Sequence, residues 1–65
     1  MAKLYVDESY NSTMLIDTLD NYGFDYEIHS ADEAKRLGYK KLPLLVVGDK
    51  QLDFKKAMRF AKRGE

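Results

Sequence analysis

The stretch Leu42-Pro43-Leu44-Leu45-Val46-Val47-Gly48-Asp49-Lys50 organises the chain. Four branched aliphatics in a row after a proline, closed by Gly-Asp-Lys, have the pattern of a strand buried on both faces that ends in a tight turn. Such a strand belongs in the middle of a sheet. Pro43 has no N–H to give to a ladder, so it is expected at the strand's first residue, where it also holds Leu42 extended.

Working outward, Gly48-Asp49 turns the chain back into a brief edge strand at Lys50-Gln51-Leu52, and so short a loop permits only an antiparallel pair. Asp53 is then placed to cap a last helix from Phe54 to Arg63. Phe54, Ala57, Met58 and Ala61 fall at i, i+3, i+4, i+7 and form its buried stripe, Lys55, Lys56, Arg59, Lys62 and Arg63 its wet side, and Gly64 its end. Phe60 lies off the stripe; it is expected either to pack on the edge strand or to mark a dimer contact.

Upstream, Lys3-Leu4-Tyr5-Val6 has the makeup of a short strand, broken by Asp7-Glu8. A helix follows from about Tyr10 or Asn11 to Tyr22, with Ser9 as N-cap, Leu15, Thr18, Leu19 and Tyr22 as its buried stripe, Met14 and Ile16 widening it, and Gly23 as its left-handed cap. Phe24-Asp25-Tyr26-Glu27-Ile28-His29 alternates with period two and predicts a second strand with Phe24, Tyr26 and Ile28 on one side. Strand, helix, strand implies that these two strands run parallel. Ser30-Ala31-Asp32-Glu33 is a capping box for a short helix through Leu37, stopped by Gly38. The reading is a single α/β domain over residues 1–65, of order βαβ-α-ββα: a four-stranded mixed sheet with helices on its faces.

Composition excludes several classes of function. There is no cysteine, so disulfides, thiolate chemistry and sulfur-based zinc sites are ruled out, and the lone His29 is too little for a metal cluster. No run approaches the ~18 apolar residues of a membrane span, and the opening Met-Ala-Lys-Leu-Tyr-Val has no signal-peptide core, so a cytoplasmic chain without membrane contact is expected. The zero net charge hides an asymmetry. Residues 1–33 set Lys3 against eight carboxylates, a net of −7, and residues 34–65 set ten cations against three carboxylates, a net of +7. The plain account is two halves that attract as they pack and otherwise face water; the sharper one is a basic docking face on the last helix. With no aromatic residues interleaved among the cations and the rest of the surface acidic, nucleic acid is not favoured.

With these elements in place, the chain resembles the small glutaredoxin-like redoxins of thioredoxin fold, above all the short ones that serve ribonucleotide reductase. The resemblance runs over nearly the whole chain: Leu4-Tyr5-Val6, Gly23-Phe24-Asp25-Tyr26-Glu27, the run from Gly38 to Asp49 and the closing Phe54 helix stand in the family's order and spacing. It implies a cis peptide bond before Pro43, which the residues alone would leave trans. It also lays Ser9-Tyr10-Asn11-Ser12 on the family's Cys-x-x-Cys, with the preceding loop one residue shorter. There a helix N-terminus stabilises a thiolate; serine keeps the cap and loses the chemistry.

Other departures accompany the missing sulfurs. The basic residue the family keeps after the first strand, which helps hold the glutathione carboxylate, is replaced by Asp7-Glu8, and the glycine pair before the last helix by Leu52-Asp53. With carboxylates at both helix starts, glutathione is expected to bind weakly or not at all, and no cofactor is expected. The leading expectation is a redox-inactive, monomeric, glutaredoxin-like domain that docks a protein partner over Ser9, Tyr10, Leu42 and Pro43, with an exposed Tyr10 as anchor; a tyrosine merely lying on the surface is the plainer reading of that residue. The alternatives are a thiol-disulfide oxidoreductase whose cysteines at positions 9 and 12 were replaced by serine, and a basic-helix interaction module. Ser9 with His29 as nucleophile and base lacks an evident orienting partner, so no catalytic residue is assigned.

Overall fold

The computed structural model describes residues 2–63, so Gly64, expected to end the last helix, lies outside them. In chain order the elements are β1 (Ala2–Tyr5), α1 (Tyr10–Asn21), β2 (Tyr26–His29), α2 (Ala31–Arg36), β3 (Leu44–Val47), β4 (Lys50–Leu52) and α3 (Phe54–Arg63). They form an α/β domain around one open, mixed sheet of order β2-β1-β3-β4. β1 and β2 run parallel, and the β1–β3 and β3–β4 pairs are antiparallel.

β3 is interior, with Leu45 opposite Leu4 on one side and Leu52 on the other. The period-two alternation of the pleat sends its four aliphatics to two separate clusters. Leu45 enters a core with Leu4, Leu15, Leu19, Ala57 and Ala61, against which Val47 also packs, so α1 and α3 cover that face. Leu44 joins Tyr5 and Ala34 of α2 on the other, with Val46, Leu42 and Tyr39 against them. Leu44 and Leu45 are buried, while Val46 and Val47 are half-buried as the strand runs out toward the Gly48 turn. Pro43 directly precedes the strand rather than opening it; its side chain is fully buried, and the Leu42–Pro43 peptide bond is cis.

Helix ends follow local chemistry. Ser9 accepts from the Ser12 N–H, the Ser30–Glu33 capping box is complete, and Asp53 Oδ1 accepts from the Lys56 N–H at 2.9 Å. Gly23 and Gly38 leave α1 and α2 at φ +72° and +82°, the left-handed region that glycine enters without a Cβ penalty. Tyr26 ties β2 to α1: its hydroxyl donates to Asp20 Oδ1 at 2.7 Å, and burial, then that bond and carboxylate, push it up to about 12.

Three expectations about burial are corrected. The buried stripe of α1 is Ser12, Leu15 and Leu19, one step nearer the N-terminus than expected; Tyr22, past the last helical turn, is 54% exposed, and Met14 is also exposed. Ala57 and Ala61 of α3 pack in one cluster with Leu15 and Leu19 of this stripe. Phe24 precedes β2 instead of belonging to it, and Ile28, although registered with buried Leu4, is 56% exposed because β2 is an edge strand and its end is open. Phe60, expected on the edge strand β4 or at a dimer contact, is half-buried with its ring 5.4 Å from that of Phe24, just ahead of the opposite edge strand β2.

Candidate functional site

Asp7, Ser9 and Ser12, at the entry to α1, form a closed hydrogen-bonded group. The Ser12 hydroxyl donates to Asp7 Oδ1 at 2.7 Å and accepts from the Asp7 N–H at 3.1 Å and the Ser9 hydroxyl at 3.3 Å. One donor and two acceptor sites are all a serine hydroxyl has, so Ser12 is saturated. It is also buried, 1% exposed. The same Asp7 oxygen accepts from the Ser9 N–H at 3.0 Å, which bends the chain into a local turn just ahead of the helix. The Ser9 side chain beside it, then the Ser12 hydroxyl and the Ser9 amide that donate to it, hold the Asp7 carboxyl below the usual aspartate range. Carboxylates therefore do stand at the entries to α1 and α3, as expected from Asp7 and Asp53.

Chemically this group is a lock rather than an attacking pair. Ser12 is out of reach of solvent and its proton is committed to a carboxylate, while exposed Ser9 serves as cap. His29 does not reach either serine by a hydrogen bond. It does have orienting partners, contrary to the sequence reading: its Nδ1 lies 2.7 Å from Glu33 Oε2 and its Nε2 3.3 Å from Glu27 Oε1. The ring stacks on Tyr5 at 5.0 Å between centroids. Two carboxylates facing two ring nitrogens favour the doubly protonated ring, and the Glu33 bond raises the His29 pKa and lowers that of Glu33. Both nitrogens are thus engaged, and neither is turned to Ser9 as a base.

The remaining expected site residues divide. Asp7 and half-buried Leu42 line one hollow of about 390 Å³ together with Asp32, Lys35, Tyr39 and Lys40. This brings the serine lock and the Leu42 turn to a common surface. Pro43 shapes that turn from inside and offers no side-chain surface, since it is fully buried. Tyr10 is 74% exposed and stands outside the hollow. Asp7 is the member of this group that sequence reading undervalued, as mere charge; the pattern Asp-x-Ser ahead of a helix was the available signal. For His29 the signal was Glu33 four residues on.

The charge asymmetry remains unneutralised by direct pairing: among the described residues the ion pairs are those of His29 with Glu27 and Glu33. The cations of α3 face water. No helix of the described residues is long and apolar enough to cross a membrane, and those residues contain no cluster of acids and histidine able to hold a metal. In comparisons with known proteins, no family model, no curated protein and no solved structure matches the chain.

Proposed function

We propose that the chain is a glutaredoxin-like protein of thioredoxin fold that has no redox chemistry of its own and docks a protein partner over Ser9, Tyr10 and the Leu42–Pro43 turn. The observation that carries this reading is the saturated Ser12 hydroxyl, bound to the Asp7 carboxylate at 2.7 Å, at the position where the family resembled keeps a sulfur. The element order, βαβ-α-ββα around one mixed sheet, supports that resemblance. Serines introduced in place of cysteines are the poorer reading. A thiol is a weak donor and acceptor and would fill the lock badly, and a thiolate at position 12 would face a carboxylate, which disfavours ionisation. A retained scaffold, a hollow with Leu42 on its wall and a prominent Tyr10 beside a chemically closed centre suit recognition better than electron transfer. The same carboxylates make glutathione a poor ligand.

Selection of binding peptides from a displayed random library, followed by amide NMR mapping, tests the docking surface. Shifts at Ser9, Tyr10 and Leu42, with at least about tenfold weaker binding in Tyr10→Ala, are the expected result, a loss in the range of an aromatic anchor. Peptides that map elsewhere, or that ignore Tyr10→Ala, overturn it. The double variant Ser9→Cys, Ser12→Cys tests the redox side: rapid reduction of a disulfide substrate by it would favour the oxidoreductase reading.

A further inference from the structure

A second hollow, of about 330 Å³, shares Tyr39 and Lys40 with the first and is otherwise distinct from it. Its charged and polar walls come from separate parts of the chain: Lys40 and Lys41 from the loop before β3, Gln51 from β4, and Asp53 and Lys56 from the start of α3. The volume falls within the ~300–1,000 Å³ of small-molecule sites.

Three lysines, Lys40, Lys41 and Lys56, line this space, and among the described residues none of them is ion-paired. The one carboxylate on the wall, Asp53, is engaged as helix cap by the Lys56 N–H at 2.9 Å. Three like charges lining one hollow repel one another, and an anion bound there relieves that repulsion. The surroundings are built rather than loose: Tyr39 is half-buried with its ring edge-on to buried Tyr5 at 5.1 Å, and buried Leu44 closes the apolar side.

The kind of cation narrows the ligand. None of the chain's arginines lines the hollow, although Arg36 and Arg59 lie in the adjoining helices. Arginine's planar fork fits carboxylate and phosphate alike; lysine binds phosphate as a compact point charge, and three of them around one space suit a small anion carrying more than one charge. We infer that this hollow is a binding site for a small phosphoryl-bearing ligand, held by Lys40, Lys41 and Lys56 with Gln51 as a polar contact. The site borders the Leu42 hollow through the shared Tyr39 and Lys40, while its own walls exclude Ser9, Tyr10 and Leu42.

Amide NMR titration with inorganic pyrophosphate, at ionic strength held constant with potassium chloride, is the test. Saturable shifts are expected at Tyr39, Lys41, Gln51 and Lys56, with half-saturation at about 1 mM or below. Lys41→Gln and Lys56→Gln should each weaken binding by about twofold to fivefold, the range of one exposed charge pair, and Lys62→Gln on the outer face of α3 should leave it unchanged. All three are solvent-facing replacements that leave the core intact. Shifts that never saturate, or an equal loss in Lys62→Gln, would mean only screening of a basic helix and would overturn the site. Citrate binding as tightly as pyrophosphate would overturn the phosphoryl assignment.

Discussion

Replacing Ser12 by alanine removes a buried hydroxyl that takes part in three hydrogen bonds, two with Asp7 and one with Ser9, and leaves the helix backbone untouched. A bond to a charged acceptor contributes about 1.5–3 kcal/mol. Here Asp7 and Ser9 are exposed, so water can take up part of what they lose, and the expected cost falls to about 1–2 kcal/mol. With a urea m-value of about 1 kcal/mol/M for a chain this short, the midpoint should drop by about 1–2 M at neutral pH. The loss should also depend on pH. Asp7 has a lowered pKa in the folded protein, so its contribution is complete above the ordinary aspartate value of 3.8 and fades as pH falls through the lower folded value. The gap between parent and variant should therefore narrow on acidification through that window, and NMR titration should find the Asp7 carboxyl nearer to its ordinary value in the variant. A midpoint change below about 0.3 M, or a gap that does not respond to acid, would refute the idea that Ser12 and the Asp7 carboxylate act as one unit.

Three further perturbations probe the rest of the structure. Leu45→Ala opens a cavity beside Leu4, Leu15 and Leu19 in the larger core and should cost about 2–5 kcal/mol, out of roughly 3–10 for a domain of this length; cooperative thermal melting within a few degrees of the parent would show that the core is elsewhere. His29 has a raised pKa through Glu33, so its contribution is complete below 6.5 and is lost as pH rises through the higher folded value. The parent's urea midpoint should fall across that interval more steeply than that of His29→Gln, and parallel curves would rule out the contribution. Asp53→Ala removes the cap of α3 and should cost about 0.5–2 kcal/mol, most of it restored by Asp53→Asn; equal losses in both would point to charge rather than to the hydrogen bond seen at Lys56.

The proposed docking carries a physical consequence for partner choice. The hollow at Leu42 has Asp7 and Asp32 on one part of its wall and Lys35 and Lys40 on another, so a docking segment must present both signs of charge in the right order. Such a surface discriminates mainly by rejecting the wrong arrangement, because like charges brought together in a desolvated contact cost more than a good rim pair gains.

Much of the architecture was legible in the residues, and the reasons are local. Period-two and 3.6-residue patterns, the serine and aspartate caps and the glycine stops each depend on neighbours a few positions away, so the seven elements, their order, the parallel β1–β2 pair and the antiparallel β3–β4 pair could be read directly, whereas the antiparallel β1–β3 pairing could not. Burial was less legible wherever it depended on what lies opposite. Tyr22 and Ile28 have the hydrophobicity of core residues, but one projects past the end of α1 and the other sits on an uncovered edge of β2. Ser12, polar by type, is buried because α1 turns it toward the carboxylate of Asp7.

From sequence alone came the absence of thiol chemistry, the reversal of charge between the two halves, and a central strand covered on both faces, since each rests on composition or on periodicity along the chain. Three-dimensional folding alone determined that Asp7 and Leu42 line one hollow and that Lys40, Lys41 and Lys56 line another. Those relations join residues whose distance in space is set by loop paths and helix packing, and no local pattern of residue types encodes such distances.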